Sequence, residues 1–215
     1  MSLDLLLHDD TAHAIARRAH AAGATVHACS RSVLDAASPV RSPSGVVALA
    51  RWSATSITAS LTSDAALALG LCDVQDPGNV GAAIRAADAL GATGVLALDG
   101  TADPHGWKVQ RGAMGSTFHL PVARGSADAA MTEARRLGLR VVATVARGGV
   151  SLEAADLRSP MLLLVGGEGA GLARNLTATA DVCVTIPMRA GVDSLNVSVT
   201  AAIVLFEARR QRRAA

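Results

Sequence analysis

From residue 3 to the end of the chain, short apolar runs rich in Leu and β-branched residues alternate with Ala-rich amphipathic stretches. That alternation specifies an α/β fold, because runs apolar on both faces suit parallel strands whose two surfaces are covered by helices. The first unit reads LDLLLH, a helix starting near residue 10 or 11 and stopping at Gly23, the strand TVHAC, a short helix over 32–37 and the strand GVVALARW, with the turn-rich loop SPVRSPSG inside it. After Trp52, the Ser/Thr-rich stretch SATSITASLTSD has no clear period and reads as an interdomain linker over 53–64. In the longer second unit the pattern predicts strands near 67–74, 94–98, 139–145, 161–166 and 182–187, and helices near 79–90, 106–115, 126–137, 170–177 and 194–212. The expectation is a small partial α/β lobe over 1–52, followed over 65–215 by a mainly parallel sheet with helices on both faces.

Several classes fall away. With 215 residues, 50% of them hydrophobic and 18% charged, the chain can bury a core and lacks the signature of disorder. Its longest apolar runs, MLLLV and AAIVLF, are far shorter than the roughly 18 residues a membrane helix requires. LDLLL has neither the basic flank nor the cleavage site of a secretory signal. A soluble chain with the cytoplasm as default compartment is expected. Cys29, Cys72 and Cys183 include no CxxC pair, which argues against a disulfide framework and against zinc. His13, His20 and His27 show no ligand spacing either, so no metal is expected. The net charge of +2 announces no nucleic-acid partner, yet of the 20 basic residues only Lys108 is Lys. Guanidinium suits bidentate phosphate contact, while coding bias in an Ala- and Arg-rich genome explains the same composition.

In sheets of this kind ligands sit beyond the carboxyl ends of the strands, which points to the loops 75–81, 166–172 and 187–195. In the first, a Pro-Gly turn precedes Asn79, placed to cap a helix beginning at Val80. Arg85 follows six residues later, nearly two turns on, so an amide and a guanidinium are expected to face one crevice. A capping Asn and an ordinary surface Arg would look the same. In the second loop, the strand LLLV empties into Gly166, Gly167, Gly169 and Gly171 around Glu168. These glycines admit backbone close to a ligand. The loop fits neither dinucleotide nor P-loop spacing, and Glu168 would repel phosphate, so a ligand with a positive centre or a backbone-bound adenosine suits it better. In the third, SLNVS enters a long helix that Ser194 can cap, and the closing RRQRR reads as a solvated last turn complementing the helix dipole.

Taken together and in this order, the loops resemble the three signature motifs of the SpoU/TrmH branch of the SPOUT superfamily of RNA ribose 2′-O-methyltransferases. Asn79-Val80-Gly81-Ala82 through Arg85 resembles the first motif, Gly166-Gly167-Glu168-Gly169 through Leu172 the second, and Ile186-Pro187-Met188 with Ser194-Leu195-Asn196-Val197-Ser198 the third. The segment DPHGWKVQRGAMGSTFHLPV resembles the family's stretch before its mid-domain strand, with Arg111 at a typical basic position. The resemblance spans about residues 65–213. It implies a C-terminal trefoil knot, against the general rule that chains do not thread loops. It also implies S-adenosyl-L-methionine as cofactor, bound through the backbone at Gly166, Ile186 and Leu195, with Gly167 and Met188 adjacent. Arg85 becomes the central catalytic residue, with Arg85 and Arg111 binding RNA, and with Asn79, Glu168, Ser194 and Asn196 orienting Arg85 and the ribose. An obligate homodimer is implied, part of its interface coming from the apolar face of 194–206.

Residues 1–52 resemble the later part of a ribosomal-protein-like α/β domain that precedes the catalytic domain in many ribosomal-RNA members, with about half of that domain lacking a counterpart. This lobe is the expected RNA gripper and favours ribosomal over transfer RNA as substrate, 23S rRNA first. Either a truncated chain or a divergent short member accounts for the missing half; truncation would cost RNA affinity more than cofactor binding. Two further readings stand beside this one. A non-catalytic RNA-binding relative would share the fold, although Asn79, Arg85, Glu168, Ser194 and Asn196 fill the positions expected to act. A Rossmann enzyme lacks its glycine fingerprint here.

Overall fold

The computed structural model describes residues 3–7, 13–42, 45–169 and 171–213, and the chain divides into two units between Ser53 and Ala54. The first unit holds β1 (Leu3–Leu7), α1 (His13–Ala21), β2 (Thr25–Ala28), α2 (Arg31–Ala37) and β3 (Val46–Ala50). β1 is central, parallel to β2 and antiparallel to β3. Ser30 caps α2 by accepting from the Val33 amide. The expected helix start near residue 10 or 11 lies outside the described residues.

The second unit runs α3 (Ile57–Leu61), β4 (Leu67–Cys72), α4 (Pro77–Ala89), β5 (Gly94–Leu98), α5 (Trp107–Ala113), a 3-10 turn at Ser116–Phe118, β6 (Val122–Gly125), α6 (Ala127–Arg136), β7 (Arg140–Thr144), β8 (Val150–Ser151), β9 (Met161–Gly166), α7 (Arg174–Thr179), β10 (Val182–Thr185) and α8 (Val197–Arg213). Seven strands form one sheet in the order β6-β5-β4-β9-β7-β10-β8, and every pairing is parallel. The fully apolar β9 lies between β4 and β7, with Leu163 opposite both Leu69 and Val142. Strand alternation sorts its side chains onto two cores. Leu67, Leu69, Leu163 and Val165 pack with α4, α5 and α8; Ala68, Leu96, Leu162 and Leu164 pack with α3 and α6. Each fully buried Leu of this kind contributes about 1.5–3 kcal/mol of transfer free energy, so both faces of β9 are committed to the fold.

Three expectations are corrected. The linker over 53–64 contains α3, which belongs to the second unit: Leu61 is fully buried, and Thr58 Oγ1 donates to Glu133 on α6 at 2.6 Å. The hydroxyl residues that suggested a flexible segment serve as cap and bridge, since Ser56 accepts from the Ala59 amide. The apolar pattern alone gave neither β6, which ends in exposed Arg124 and Gly125, nor the two-residue β8; only the resemblance placed a mid-domain strand where β6 lies. The closing RRQRR is not a solvated last turn. Arg209 donates to the Ala89 carbonyl at the end of α4, Gln211 to that of Ala155, and Arg212 to those of Ala65, Ala66, Leu157 and Ser159. Burial pushes the Arg212 guanidinium down from its usual value. None of the three cysteines is in a disulfide. Burial, then the Asp99 and Asp73 charges, push Cys72 up to about 12, so it behaves as a small hydrophobe.

Arg212→Ala removes the donor that ties α8 to the entry of β4 and the loop before β9. It is expected to lower unfolding free energy by about 1–3 kcal/mol, while Arg213→Ala, at an exposed position, changes it by less than about 0.5 kcal/mol. Urea midpoints measure both; equal midpoints for the two variants would contradict the clamp.

Candidate active site at the carboxyl ends of the sheet

Because β4, β7, β9 and β10 are parallel, the loops that follow them emerge at one edge of the sheet. There they enclose a pocket of about 700 Å³. Gly166 to Gly169 with Gly171 and Leu172 supply one wall, Ile186 and Met188 a second, and Asp193 to Val197 with Thr200 a third, with Thr144 to Ala146 and Thr177 among the rest of the lining.

The glycines shape the first wall. At Gly167 a Cβ would fall 1.9 Å from the Asp73 carbonyl oxygen, and at Gly166 it would fall 2.3 Å from the Gly171 carbonyl carbon. Neither position tolerates a side chain without displacing backbone. The Gly167 amide donates to the Cys72 carbonyl at 2.8 Å, and Gly167 bridges Gly171 in antiparallel fashion, which folds the loop back with Glu168 near its tip. α7 starts only at Arg174, later than the expected 170, and no side chain caps it.

One hydrogen-bond junction ties the three loops together. Asn79 Nδ2 donates to Glu168 Oε1 at 2.5 Å; Asn196 Nδ2 donates to Asn79 Oδ1 at 2.9 Å and lies 3.4 Å from Glu168 Oε1. The oxygen end of Asn196 is also engaged, accepting from the Ser198 amide at 2.9 Å, the Ser198 hydroxyl at 2.7 Å and the Val199 amide at 3.4 Å. Donors and acceptors are thus matched at both amides, which sets their orientation. The carboxylate of Glu168 receives charge-assisted bonds, roughly twice as strong as neutral ones.

The expected site residues fall into two groups. Gly166, Gly167, Glu168, Ile186, Met188, Ser194, Leu195 and Asn196 all border the pocket, and Asn79 joins them through the junction. Arg85 and Arg111 are exposed on α4 and α5, outside that lining. Two capping expectations are corrected. Asp76 caps α4, accepting from the Asn79 amide at 2.8 Å, with Pro77 at the first helical position, and this releases the Asn79 side chain toward Glu168. Asn196, not Ser194, caps α8, and Ser194 makes no hydrogen bond with a described residue. Nor do Asn79 and Arg85 share a helix face, since six residues advance ~600° and leave them about 120° apart. Arg85 makes no hydrogen bond or ion pair with a described residue, so Asn79, Glu168, Ser194 and Asn196 do not orient it within the chain. The Asp-Pro step before Asn79 was a legible helix-start signal that the spacing argument passed over. Sequence carried no signal for the Arg147–Asp193 ion pair, 2.8 Å, which joins the loop after β7 to the third wall.

Asn196→Ala removes the cap and the bridge together, and is expected to destabilise by about 1–2 kcal/mol in thermal melts. Asn196→Asp keeps the capping oxygen but sets a second carboxylate beside Glu168. It is therefore expected to leave α8 intact by circular dichroism and still lower the melting temperature, more so at pH 8 than at pH 4. A variant as stable as the wild type at pH 8 would contradict the junction.

The family description "SpoU rRNA Methylase family" matches residues 66–206. Among curated relatives, the chain is 39% identical over 136 residues to the 23S rRNA (guanosine(2553)-2′-O)-methyltransferase RlmP of Bacillus subtilis, covering 63% of this chain and 55% of that protein. It is 35% identical over 213 residues to the 23S rRNA (guanosine-2′-O-)-methyltransferase RlmB of Shewanella oneidensis, covering 95% of this chain and 86% of that one. The crystal structure of the SpoU methyltransferase AviRb from Streptomyces viridochromogenes, in complex with AdoMet, superposes with a TM-score of 0.87 at 31% identity, covering 99% of this chain and 83% of AviRb. A parallel sheet whose three carboxyl-end loops meet in one junction, matched in sequence across most of that unit, leaves one conclusion: the chain belongs to the SpoU rRNA methylase family.

Proposed function

We propose that the protein transfers a methyl group from S-adenosylmethionine to a ribose 2′-hydroxyl of RNA, with 23S ribosomal RNA as substrate. The observation that carries this reading is the Asn79–Glu168–Asn196 junction on the rim of a pocket where Gly166, Ile186 and Leu195 converge. The relatives that span both units carry the names of 23S rRNA 2′-O-methyltransferases, which supports ribosomal over transfer RNA.

The pocket suits the cofactor on its own chemistry. Its volume of about 700 Å³ lies within the range of small-molecule sites. Glycine backbone forms one wall, and the two charged side chains of the lining, Glu168 and Asp193, are both acidic, as a cationic ligand requires. S-adenosylmethionine supplies an electrophilic methyl on a positive sulfonium. Glu168, held by two amides, keeps a fixed negative charge at the wall, and Gly166, Gly167, Ile186, Met188 and Leu195 offer backbone and apolar contact. Asn196 and Ser194 border the side from which a ribose would enter. The guanidinium of Arg85 offers planar, bidentate donors, so its role is to bind the phosphate beside the target ribose and to stabilise charge developing on the 2′-oxygen. Arg111 adds a second phosphate contact.

Val199 and Phe206, seven apart and exposed on α8, remain apolar after Val197, Ala201, Val204 and Leu205 have packed into the core. They support the homodimer and its use of the 194–206 face. The first unit serves as an RNA gripper in this reading, and the family resemblance adds a trefoil knot at the C-terminal end of the second unit. Among the described residues no helix is long and apolar enough to cross a membrane and no group of His, Cys, Asp or Glu could hold a metal. The cytoplasm is the compartment that goes with ribosomal RNA as substrate.

The test is methyl transfer from labelled S-adenosylmethionine to unmodified ribosomal RNA and, separately, transfer RNA, followed by nucleoside mass spectrometry. A 2′-O-methylnucleoside from ribosomal RNA is expected. Product from transfer RNA alone would overturn the substrate, and no product from either would overturn the activity. Arg85→Ala should reduce turnover by roughly 100-fold or more with cofactor affinity nearly unchanged; retained turnover would remove Arg85 from the mechanism.

A further inference from the structure

The chain has two Trp, two Phe and no Tyr. Two of these four rings, Trp107 and Phe118, lie on one short exposed segment, 44% and 63% exposed, with Met114 between them at 72%. α5 turns Val109 and Ala113 into the core, and helical spacing then puts Trp107, Arg111 and Met114 together on its outer face. Lys108 Nζ lies 5.7 Å from the centre of the Trp107 ring. Neither Lys108 nor Arg111 has a carboxylate partner among the described residues, and α5 contains no acidic residue. The nearby carboxylates are already engaged, Asp88 with His119 at 2.8 Å and Asp103 with Arg124 at 3.7 Å.

This face borders Arg85. α4 and α5 touch through Gly81 and Gly112, where a Cβ on Gly81 would fall 2.6 Å from the Val109 carbonyl oxygen and 2.8 Å from the Gly112 Cα. Arg85 stands one turn after Gly81 and one turn before Asp88, whose carboxylate meets His119. It therefore occupies the row of α4 that faces the segment 107–119. A ring, a thioether and three cations without carboxylate partners then form one continuous surface.

We propose that this surface is a stacking platform for unpaired nucleotides of the RNA substrate, with Trp107 taking a base and Lys108 and Arg111 the flanking phosphates. The inference rests on the reading that the substrate is RNA and that Arg85 stands at the reaction centre. Aromatic faces accept splayed bases from single strands, whereas bases inside a duplex are already stacked. The charge pattern favours RNA over a second copy of the chain: burying this face against a protein would desolvate cations that α5 offers no carboxylate to meet.

The experiment measures binding of a fluorescein-labelled 20-nucleotide single-stranded RNA, and of its duplex, to the full chain. Trp107→Ala is expected to weaken single-strand binding roughly 5- to 100-fold, with Trp107→Phe retaining most of the affinity. Arg111→Gln should lower the slope of log affinity against log salt by about 0.7. Duplex affinity, cofactor affinity by calorimetry and molecular mass by light scattering should not change in Trp107→Ala. In a Trp52→Phe background, the remaining Trp107 fluorescence should be quenched by the single strand, a readout that leaves Trp107 intact. Unchanged single-strand affinity with no quenching would overturn the platform, as would a drop in molecular mass without RNA, which would mark the face as a protein interface. If the wild type binds cofactor and methylates RNA but Trp107→Ala is indistinguishable from it, this inference alone fails. If the wild type does neither, the enzymatic reading fails and the platform with it.

Discussion

Glu168 is an exposed carboxylate at the tip of a glycine loop, and the arrangement of the site depends on what holds it. Two amides, Asn79 from the start of α4 and Asn196 from the cap of α8, converge on its Oε1. Each belongs to a different part of the chain, the first separated from Glu168 by 89 positions and the second by 28. Closing loops of such different length has an entropic cost that grows only slowly with length, but three loops free to move would present no fixed pocket. The junction makes their relative positions a single cooperative choice. With Asp76 capping α4, both ends of the Asn79 amide are left for the junction, its Nδ2 donating to Glu168 and its Oδ1 accepting from Asn196.

The sheet beneath makes the junction possible. β4 and β9 pair in parallel register up to Cys72 opposite Gly166, so their following loops leave at the same height. There the chain requires atoms to approach more closely than any side chain permits, hence Gly166 and Gly167. Both faces of β9 are buried, and α8 packs on the same core as α4, so the helix that follows Asn196 is held by apolar burial as well as by its cap. At the far end of α8, Arg212 ties the last turn to the carbonyls of Ala66 and Leu157. One helix thus connects the stability of the unit to the geometry of the site.

Much of this was legible in the sequence, and what was missed shares a cause. Strands such as 94–98 and 161–166 were visible because an apolar run bounded by turn residues has few other uses. The pocket residues were visible because glycines, Glu168 and the Ser-Leu-Asn step fall after strand ends in the order of a known family. Capping was not resolved, since Asp76 and Asn79, or Ser194 and Asn196, are equally good caps by residue type and only the backbone path chooses between them. α3 was lost because five residues carry no measurable period. The engaged arginines at the C-terminus looked solvated because their partners are backbone carbonyls far along the chain, for which sequence holds no pattern. Arg85 marks a different limit. It makes no hydrogen bond or ion pair with a described residue, which accords with the RNA contact proposed for it.

Two kinds of surface stand on one fold: a pocket whose charged lining residues, Glu168 and Asp193, are acidic, proposed for a cationic small molecule, and an arginine-bearing helical face, proposed for a polyanion. The most direct measurement is a crystal structure grown with saturating S-adenosylhomocysteine. The account predicts ligand density against the backbone of Gly166, Ile186 and Leu195, with the Asn79–Glu168–Asn196 bonds intact. Ligand lodged at another place, or a junction broken to admit it, would contradict the claim that these three loops form a preorganised cofactor site.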